Sequence, residues 1–508
     1  MQTERPTRPA PPPRRPRPPR EADDDHGRLS DLDHAHVWHP FTPMRQWCER
    51  PPLVIERGEG PYLFDTEGNR YLDGVSSLWC NVHGHRAAAI DDAVRRQLDR
   101  VAHTTLLGLA SPPSIELAER LVRRVGAELG PGDGGGGLQK VFYSDAGATA
   151  LEVAFKMAVG YWHHRGRPEK TRFVGLAGAY HGDTVGAMSV GFSDLFHRPF
   201  APMAFPVDWF PAPDALRPPE GFASAGRAPD TSADRSLWPS EDAALNEALS
   251  GHCLDALRAI LEKQADQTAA VVIEPVMQGA AGMVCQPPGF VRRVAELARR
   301  HNVLLIADEV AVGFGRTGEM FACGHDGVRP DLLCLAKGLT GGYLPLAVTM
   351  ATDEIYDAFT GTPDQRRTLY HGHTYTGNPL ACAAALASLE LFDRPVGDRP
   401  DLLTHVRRSA ELIRRGLDPL RGCPHVRDVR QRGVMVGIEL DPTGGSGNRP
   451  GAFDFAAPNG RAVCDLLRQE GVIIRPLGDV VVLMPIPATP HDLIEELTRK
   501  VVAAIAGA

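Results

Sequence analysis

Four continuous apolar runs punctuate the middle of the chain: RFVGLAG, AAVVIEP, VLLIADE and LLCLAK. None of them alternates with polar residues. Each therefore reads as a strand buried on both faces, which is how central parallel strands look in sequence. KVFYS is a shorter strand of the same kind. Between the strands, apolar positions recur every three or four residues, the period of an amphipathic helix. ATALEVAFKMAVGYWHH sets Leu151, Phe155, Ala158 and Trp162 on one face, and RAAAIDDAVRRQLDRV does the same with Ile90, Val94, Leu98 and Val101. PGFVRRVAELARRHN is a further helix between two strands. This alternation predicts an α/β fold with a mainly parallel sheet. Toward the end the character changes. GVMVGIEL, GVIIRPLG and DVVVLMPI read as strands around the helix RAVCDLLRQE, followed by the helix HDLIEELTRKVVAAIA. That is the pattern of a smaller α+β domain.

Two stretches break the pattern. The first is the N-terminus, MQTERPTRPAPPPRRPRPPREADDD, with eight prolines in its first twenty residues and six arginines before Glu21. It has too little apolar surface to fold and reads as a tail over 1–30. Its arginines suit either a solvated arm or contact with a polyanion. The prolines break the amphipathic helix that a transit peptide needs. The second is 201–245, rich in proline, alanine and charge, which reads as a long loop inserted within a domain. The expected division is a tail over 1–30, an N-terminal part of the small domain over 31–105, a large domain over 106–380 and a C-terminal small domain over 381–508.

Composition narrows the function classes. The chain has 508 residues and a formal net charge of −8, so nothing global favours nucleic acid or an anionic membrane. No apolar run approaches the roughly 20 residues of a membrane-spanning helix. The nine cysteines are scattered, with no CxxC and no metal-ligand spacing, which fits a reducing, cytoplasmic compartment and no metal.

The candidate chemistry lies at strand ends, where ligands of open α/β sheets bind. In PDLLCLAKGLTGGYLPLAV a buried strand ends in Lys337. Such a lysine is either structural and paired, or one whose pKa falls in a dry site so that it can form a Schiff base. In VLLIADE a strand ends in Asp308 and Glu309. A carboxylate there needs a cation, either a buried arginine or a protonated pyridine nitrogen. In YSDAGATALE a turn opens a helix near Gly147 and Ala148, either an ordinary capped start or an anion site. GAYHGDT places Tyr180 after another strand. Taken together, a phosphate cradle, a buried Asp and a buried Lys meet the requirements of pyridoxal 5′-phosphate. GFGRTG matches the dinucleotide pattern but neither follows a strand directly nor opens a good helix. It reads as a loop with Arg316 tied to the acidic cluster.

LLIADEVAVGFGRTG, PDLLCLAKGLTGGYLPLAV and HGHTYTGNPLACAAALASL, in this order and spacing, resemble the class III aminotransferases of the pyridoxal-phosphate fold type I. WHPFTPM, DGVSSLWCNVHGHR, AHTTLLG, AYHGDTVGAMSVG and IIRPLG are similar to the branch that aminates 8-amino-7-oxononanoate to 7,8-diaminononanoate in biotin synthesis. The resemblance implies a homodimer with ping-pong chemistry and small-molecule substrates. It implies Lys337 as the Schiff-base lysine and Asp308 as the partner of the pyridine nitrogen. Gly147 and Ala148 would bind phosphate, and Tyr180 would stack on the ring and border the substrate. His373 and Thr374 would reach the neighbouring subunit's phosphate. Phe41, Leu78, Trp79, Gly372 and Arg475 would line the substrate site, with Arg475 on a carboxylate. Relatives that use S-adenosylmethionine as donor often have Tyr, Trp and Pro where this chain has Phe41, Leu78 and His373. A lysine-using branch carries the present combination, so the donor is either S-adenosylmethionine or lysine. The rival readings are another class III enzyme acting on ornithine, 4-aminobutyrate or a diamine, and a non-catalytic protein on the same fold.

Overall fold

The computed structural model describes residues 19–130, 137–222, 239–441 and 459–507. The chain forms two compact units. One is Met1–Gly58 with Tyr62–Tyr71, and the other is Glu59–Pro61 with Leu72–Ala508.

In the first unit the described residues start inside the span expected to be a tail, with the helix Pro19–His36. Local chemistry accounts for it. Arg28 Nη2 donates to Asp25 Oδ1 at 2.6 Å, one turn away, and His34 and His36 sit in the last turn, where the helix dipole favours cations. The arginine-rich stretch before it lies outside the described residues. From near the helix's end, Asp33 gathers the chain that follows by accepting from His39 Nε2 at 2.8 Å and Trp47 Nε1 at 2.7 Å.

The second unit is built on a seven-stranded sheet. Its order is Leu138–Ser144, Ala347–Thr352, Leu332–Leu335, Leu304–Asp308, Thr268–Ile273, Arg172–Leu176 and Val207–Phe210. Ala347–Thr352 runs antiparallel to both of its neighbours, and the remaining pairs are parallel. The apolar runs of the sequence therefore became the central strands, and their carboxyl ends point to one edge. The helix Gly147–His164 covers a face of the sheet through Leu151, Phe155, Ala158 and Trp162, all buried. A second, four-stranded antiparallel sheet is formed by Val426–Arg432, Met435–Leu440, Val480–Leu483 and Arg475–Leu477. Among the described residues no helix is long and apolar enough to cross a membrane.

Two further expectations change. The inserted loop 201–245 contains the sheet's edge strand, Val207–Phe210. Phe210 is fully buried, and Arg172 Nη2 reaches Asp208 Oδ2 at 2.8 Å across the strand pair. A short edge strand set among prolines has no apolar run to announce it. The helix expected to continue to Val101 ends at Leu98, where Leu98 is 54% exposed. It packs through Ile90, with Ala93 and Val94 partly buried beside it, against Ala384 and Ala387 of the helix Pro379–Phe392.

Candidate active site

Strand geometry explains why the polar residues converge. Ser144, Leu176, Ile273, Asp308 and Leu335 each end a strand of the large sheet at the same edge. These ends and the residues that follow them contribute to the lining of a cavity of about 720 Å³, Gly147, Tyr180, Glu274, Asp308 and Lys337 among them.

Asp308 is 4% exposed. His181 Nδ1 donates to its Oδ2 at 2.7 Å, and the Val310 N–H donates to its Oδ1 at 2.9 Å. Because a carboxylate only accepts, His181 carries its proton on Nδ1 here. Its Nε2 is buried with no partner among the described residues. Lys337 opens a short 3₁₀ turn with a φ of 45°, a conformation that is strained for any residue but glycine. Its Nζ lies 5.1 Å from the centroid of the Trp79 ring. Burial pulls the Lys337 pKa below the ordinary lysine value, while the nearby charges of Asp308 and Glu274 act in the opposite direction.

Tyr180 Oη donates to Asp183 Oδ2 at 2.8 Å. Burial, followed by that hydrogen bond, pushes the phenol well above its ordinary range. The Tyr180 N–H donates to Glu274 Oε1 at 2.9 Å, and the Gly279 N–H donates to Glu274 Oε2 at 3.0 Å. Burial raises the Glu274 carboxyl to about 7. Arg475 lies within electrostatic reach of Tyr180, and burial lowers its pKa.

The helix Gly147–His164 aims its N-terminus at the cavity. The N–H groups of a helix's first turn have no partner within the helix. Close approach there depends on glycine. A Cβ on Gly147 would lie 2.6 Å from Val310 Cγ1. At Gly182, where φ is +114°, it would lie 2.4 Å from the Ala148 Cβ.

The structure thus brings Lys337, Asp308, Tyr180, Gly147, Ala148 and Trp79 to one cavity. Leu78, Gly372, His373, Thr374 and Arg475 do not line it. Leu78 is 50% exposed, and Gly372 and Thr374 are exposed. His373 Nδ1 stands 3.6 Å from Asp145 Oδ2, and Asp145 does line the cavity. Phe41 belongs to the first unit, where it is 55% exposed with a φ of 50°. Glu274, His181 and Asp183 also line the cavity and were missed in the sequence. Glu274 had a readable signal, since AAVVIEP ends in a carboxylate just as VLLIADE does.

Arg316 corrects one expectation. It is buried, and its partners are Ser76 Oγ at 2.8 Å and the carbonyls of Asn81 at 2.7 Å and Pro485 at 3.4 Å, not the acidic cluster. Glu309 instead accepts the N–H groups of Ala322 at 2.6 Å and Cys323 at 2.8 Å, so its charge is met by backbone donors. Glu309→Ala leaves both buried donors unpaired and is expected to lower stability by about 2–4 kcal/mol, read from urea denaturation. Unchanged stability would show that water replaces the carboxylate there.

Residues 44–505 match the class III aminotransferase family. The chain belongs to that family. The adenosylmethionine-8-amino-7-oxononanoate aminotransferase of Geobacter sulfurreducens is 46% identical over 488 residues, 96% of this chain and 99% of that one. The protein of the same name from Nitratidesulfovibrio vulgaris is 48% identical, covering 94% of this chain and 81% of that one. Among solved structures, the Methanocaldococcus jannaschii protein of that name aligns with a TM-score of 0.82 at 39% identity, covering 95% of this chain and 99% of that one. An omega-transaminase from Thermomicrobium roseum aligns at 0.81 and 33% identity, over 95% and 98% of the two chains.

The residues of this aminotransferase fit pyridoxal phosphate. The glycine-lined helix start offers N–H groups to a phosphate. Among the described residues, no Arg or Lys side chain is hydrogen-bonded to the buried carboxylate of Asp308. Lys337 faces the same cavity.

Proposed function

We propose that this aminotransferase moves an amino group from S-adenosylmethionine or lysine to the ketone of 8-amino-7-oxononanoate, giving 7,8-diaminononanoate for biotin synthesis. The observation that carries this reading is Lys337 and Asp308 in one cavity with the open helix start at Gly147. The near full-length likeness to relatives bearing that activity in their names supports the substrate.

When bound, pyridoxal phosphate supplies an electron-withdrawing ring that stabilises charge on the carbon losing its proton. The chain's residues do the rest. The N–H groups of Gly147 and Ala148 bind the phosphate. Asp308, oriented by His181 and the Val310 N–H, holds a proton at the ring nitrogen. Lys337 would hold the cofactor and, once the incoming amine has replaced it there, its freed Nζ would take the proton from the carbon bearing that amine. Tyr180 covers the ring and borders the substrate, with its hydroxyl held by Asp183. Arg475 pairs with a substrate carboxylate, a task that suits the forked guanidinium. Trp79 borders the substrate from within the cavity; the same role for Phe41, Leu78 and Gly372, which do not line that cavity, rests on the family resemblance. His373 and Thr374 complete the phosphate site of a partner subunit in a cytoplasmic homodimer.

The test is a donor half-reaction. The holoenzyme is mixed with S-adenosylmethionine or with lysine, and loss of the cofactor's visible absorbance is followed. Bleaching by one of the two, followed by recovery of the band on adding 8-amino-7-oxononanoate, is the expected result. Bleaching only by ornithine, 4-aminobutyrate or a diamine would move the chain to a different substrate within the family. Phe41 lacks the hydroxyl of a tyrosine, so Phe41→Tyr is expected to shift the donor ratio toward S-adenosylmethionine, by up to about 10²-fold if the site is built around that hydrogen bond. An unchanged ratio would remove Phe41 from donor selection.

A further inference from the structure

The segment between the strand Arg70–Asp73 and the cavity contains unusual backbone. Ser76, Ser77 and Trp79 have φ of 52°, 62° and 61°. Ser77, with ψ of −78°, adopts the rare and strained γ-turn geometry. Such conformations persist only where the surroundings over-determine them, and they gather at functional sites.

The surroundings here are specific. Asp73 is fully buried. Its two carboxylate oxygens receive the Ser77 N–H at 2.9 and 2.8 Å, and Oδ2 also receives the Ser77 hydroxyl at 3.1 Å. His85 Nε2 donates to the same Oδ2 at 3.0 Å. The imidazole is oriented in turn. The Gly84 N–H donates to Asn81 Oδ1 at 2.9 Å, which leaves the Asn81 amide nitrogen to donate to His85 Nδ1 at 3.1 Å. With an acceptor on one side and a donor on the other, His85 can carry its proton only on Nε2. The other flank of the turn is held by Ser76 Oγ, which donates to the Met484 carbonyl at 2.7 Å and accepts from Arg316. What this turn presents to the cavity is Trp79, the ring beside Lys337 Nζ, and Cys80.

We propose that Asp73 and His85 are positioning residues for the amino transfer, holding the strained Ser76–Trp79 turn so that the Trp79 ring is fixed against Lys337. The proposal rests on the catalytic reading above. Neither residue lines the cavity, so both act through Trp79 and the lysine.

The test uses the full-length holoenzyme and whichever donor bleaches the wild type. His85→Ala and Asp73→Asn are expected to slow the donor half-reaction by about 10- to 100-fold, as a misplacement near the reacting atoms does. Cofactor affinity, read by spectral titration, is expected to change by less than about threefold, because neither residue touches the phosphate cradle. His85→Gln, whose amide can donate to Asp73 and accept from Asn81, is expected to recover most of the rate. Adding Ser77→Gly to Asp73→Asn is expected to restore part of it, because glycine takes positive φ without strain. A structural role alone would lower rate, affinity and melting temperature together, and neither Gln nor Gly would selectively rescue the rate. Wild-type rates in soluble Asp73→Asn or His85→Ala would overturn the proposal. If Asp73→Asn does not fold, the His85 pair decides on the same readouts. Failure of the catalytic reading is distinguishable, since it appears as a wild type that no donor bleaches.

Discussion

Replacing Lys337 with alanine is expected to reduce turnover by at least about 10⁴-fold while the chain still folds. The side chain has no hydrogen bond in the described structure that holds the fold, and it places a cation where burial disfavours charge. The strained φ of 45° remains for alanine, so backbone strain is not relieved and the comparison isolates the amine. Lys337→Arg retains a positive charge but not the nucleophile, and should be equally inactive. Turnover in either variant, measured with the donor that bleaches the wild type, would remove Lys337 from the chemistry. The same residue makes a pH-dependent prediction. Its folded pKa lies below its unfolded one, so holding the ammonium penalises folding below the folded value. The penalty disappears once pH exceeds the ordinary lysine pKa, where the amine is neutral in both states. The melting-point advantage of Lys337→Ala over the wild-type apoprotein is therefore expected at about pH 7 and should shrink toward about pH 10. A constant difference across that range would mean that Lys337 is not desolvated.

Asp308→Asn is expected to lower kcat by on the order of 10³-fold, roughly 4 kcal/mol, with the protein still folded. The carboxylate sits in an apolar strand end with its oxygens oriented by His181 Nδ1 and the Val310 N–H. An asparagine can still accept from one of these donors, which keeps the packing. It cannot supply the negative charge that holds a proton on the ring nitrogen. The visible spectrum of the bound cofactor should shift toward that of the unprotonated ring, and this readout is independent of turnover. Normal kcat and an unshifted spectrum together would leave Asp308 as a structural residue that orients His181.

The parts of this protein that were legible in the sequence share one cause. A strand buried on both faces must be apolar throughout, so a charged residue at its end stands out. Asp308 and Lys337 were found in that way, and the four central strands with them, while Tyr180 was noted only as a residue following another strand. Glu274 obeyed the same rule and was overlooked. The edge strand Val207–Phe210 was hidden because one of its edges needs no partner strand and its flanks are proline-rich. The family resemblance added Trp79, Arg475 and the 372–374 segment, which no local pattern would have singled out.

Other features depend on residues far apart in the chain. Arg316 looked like the partner of nearby acids, yet it bonds Ser76, Asn81 and Pro485, while Glu309 finds backbone donors at Ala322 and Cys323. His181 meets Asp308 across 127 positions of sequence. The positive φ angles of Ser76, Ser77 and Trp79 belong to residues with no preference for them, and arise because Asp73, His85 and Arg316 close around the turn. The sequence by itself determined which segments are buried strands and which charged groups end them, because burial is a property of residue type and period. Only the tertiary structure decided which of those groups face one another and which backbone is held under strain, because hydrogen bonds between distant residues are set by how the strands and loops come together in space.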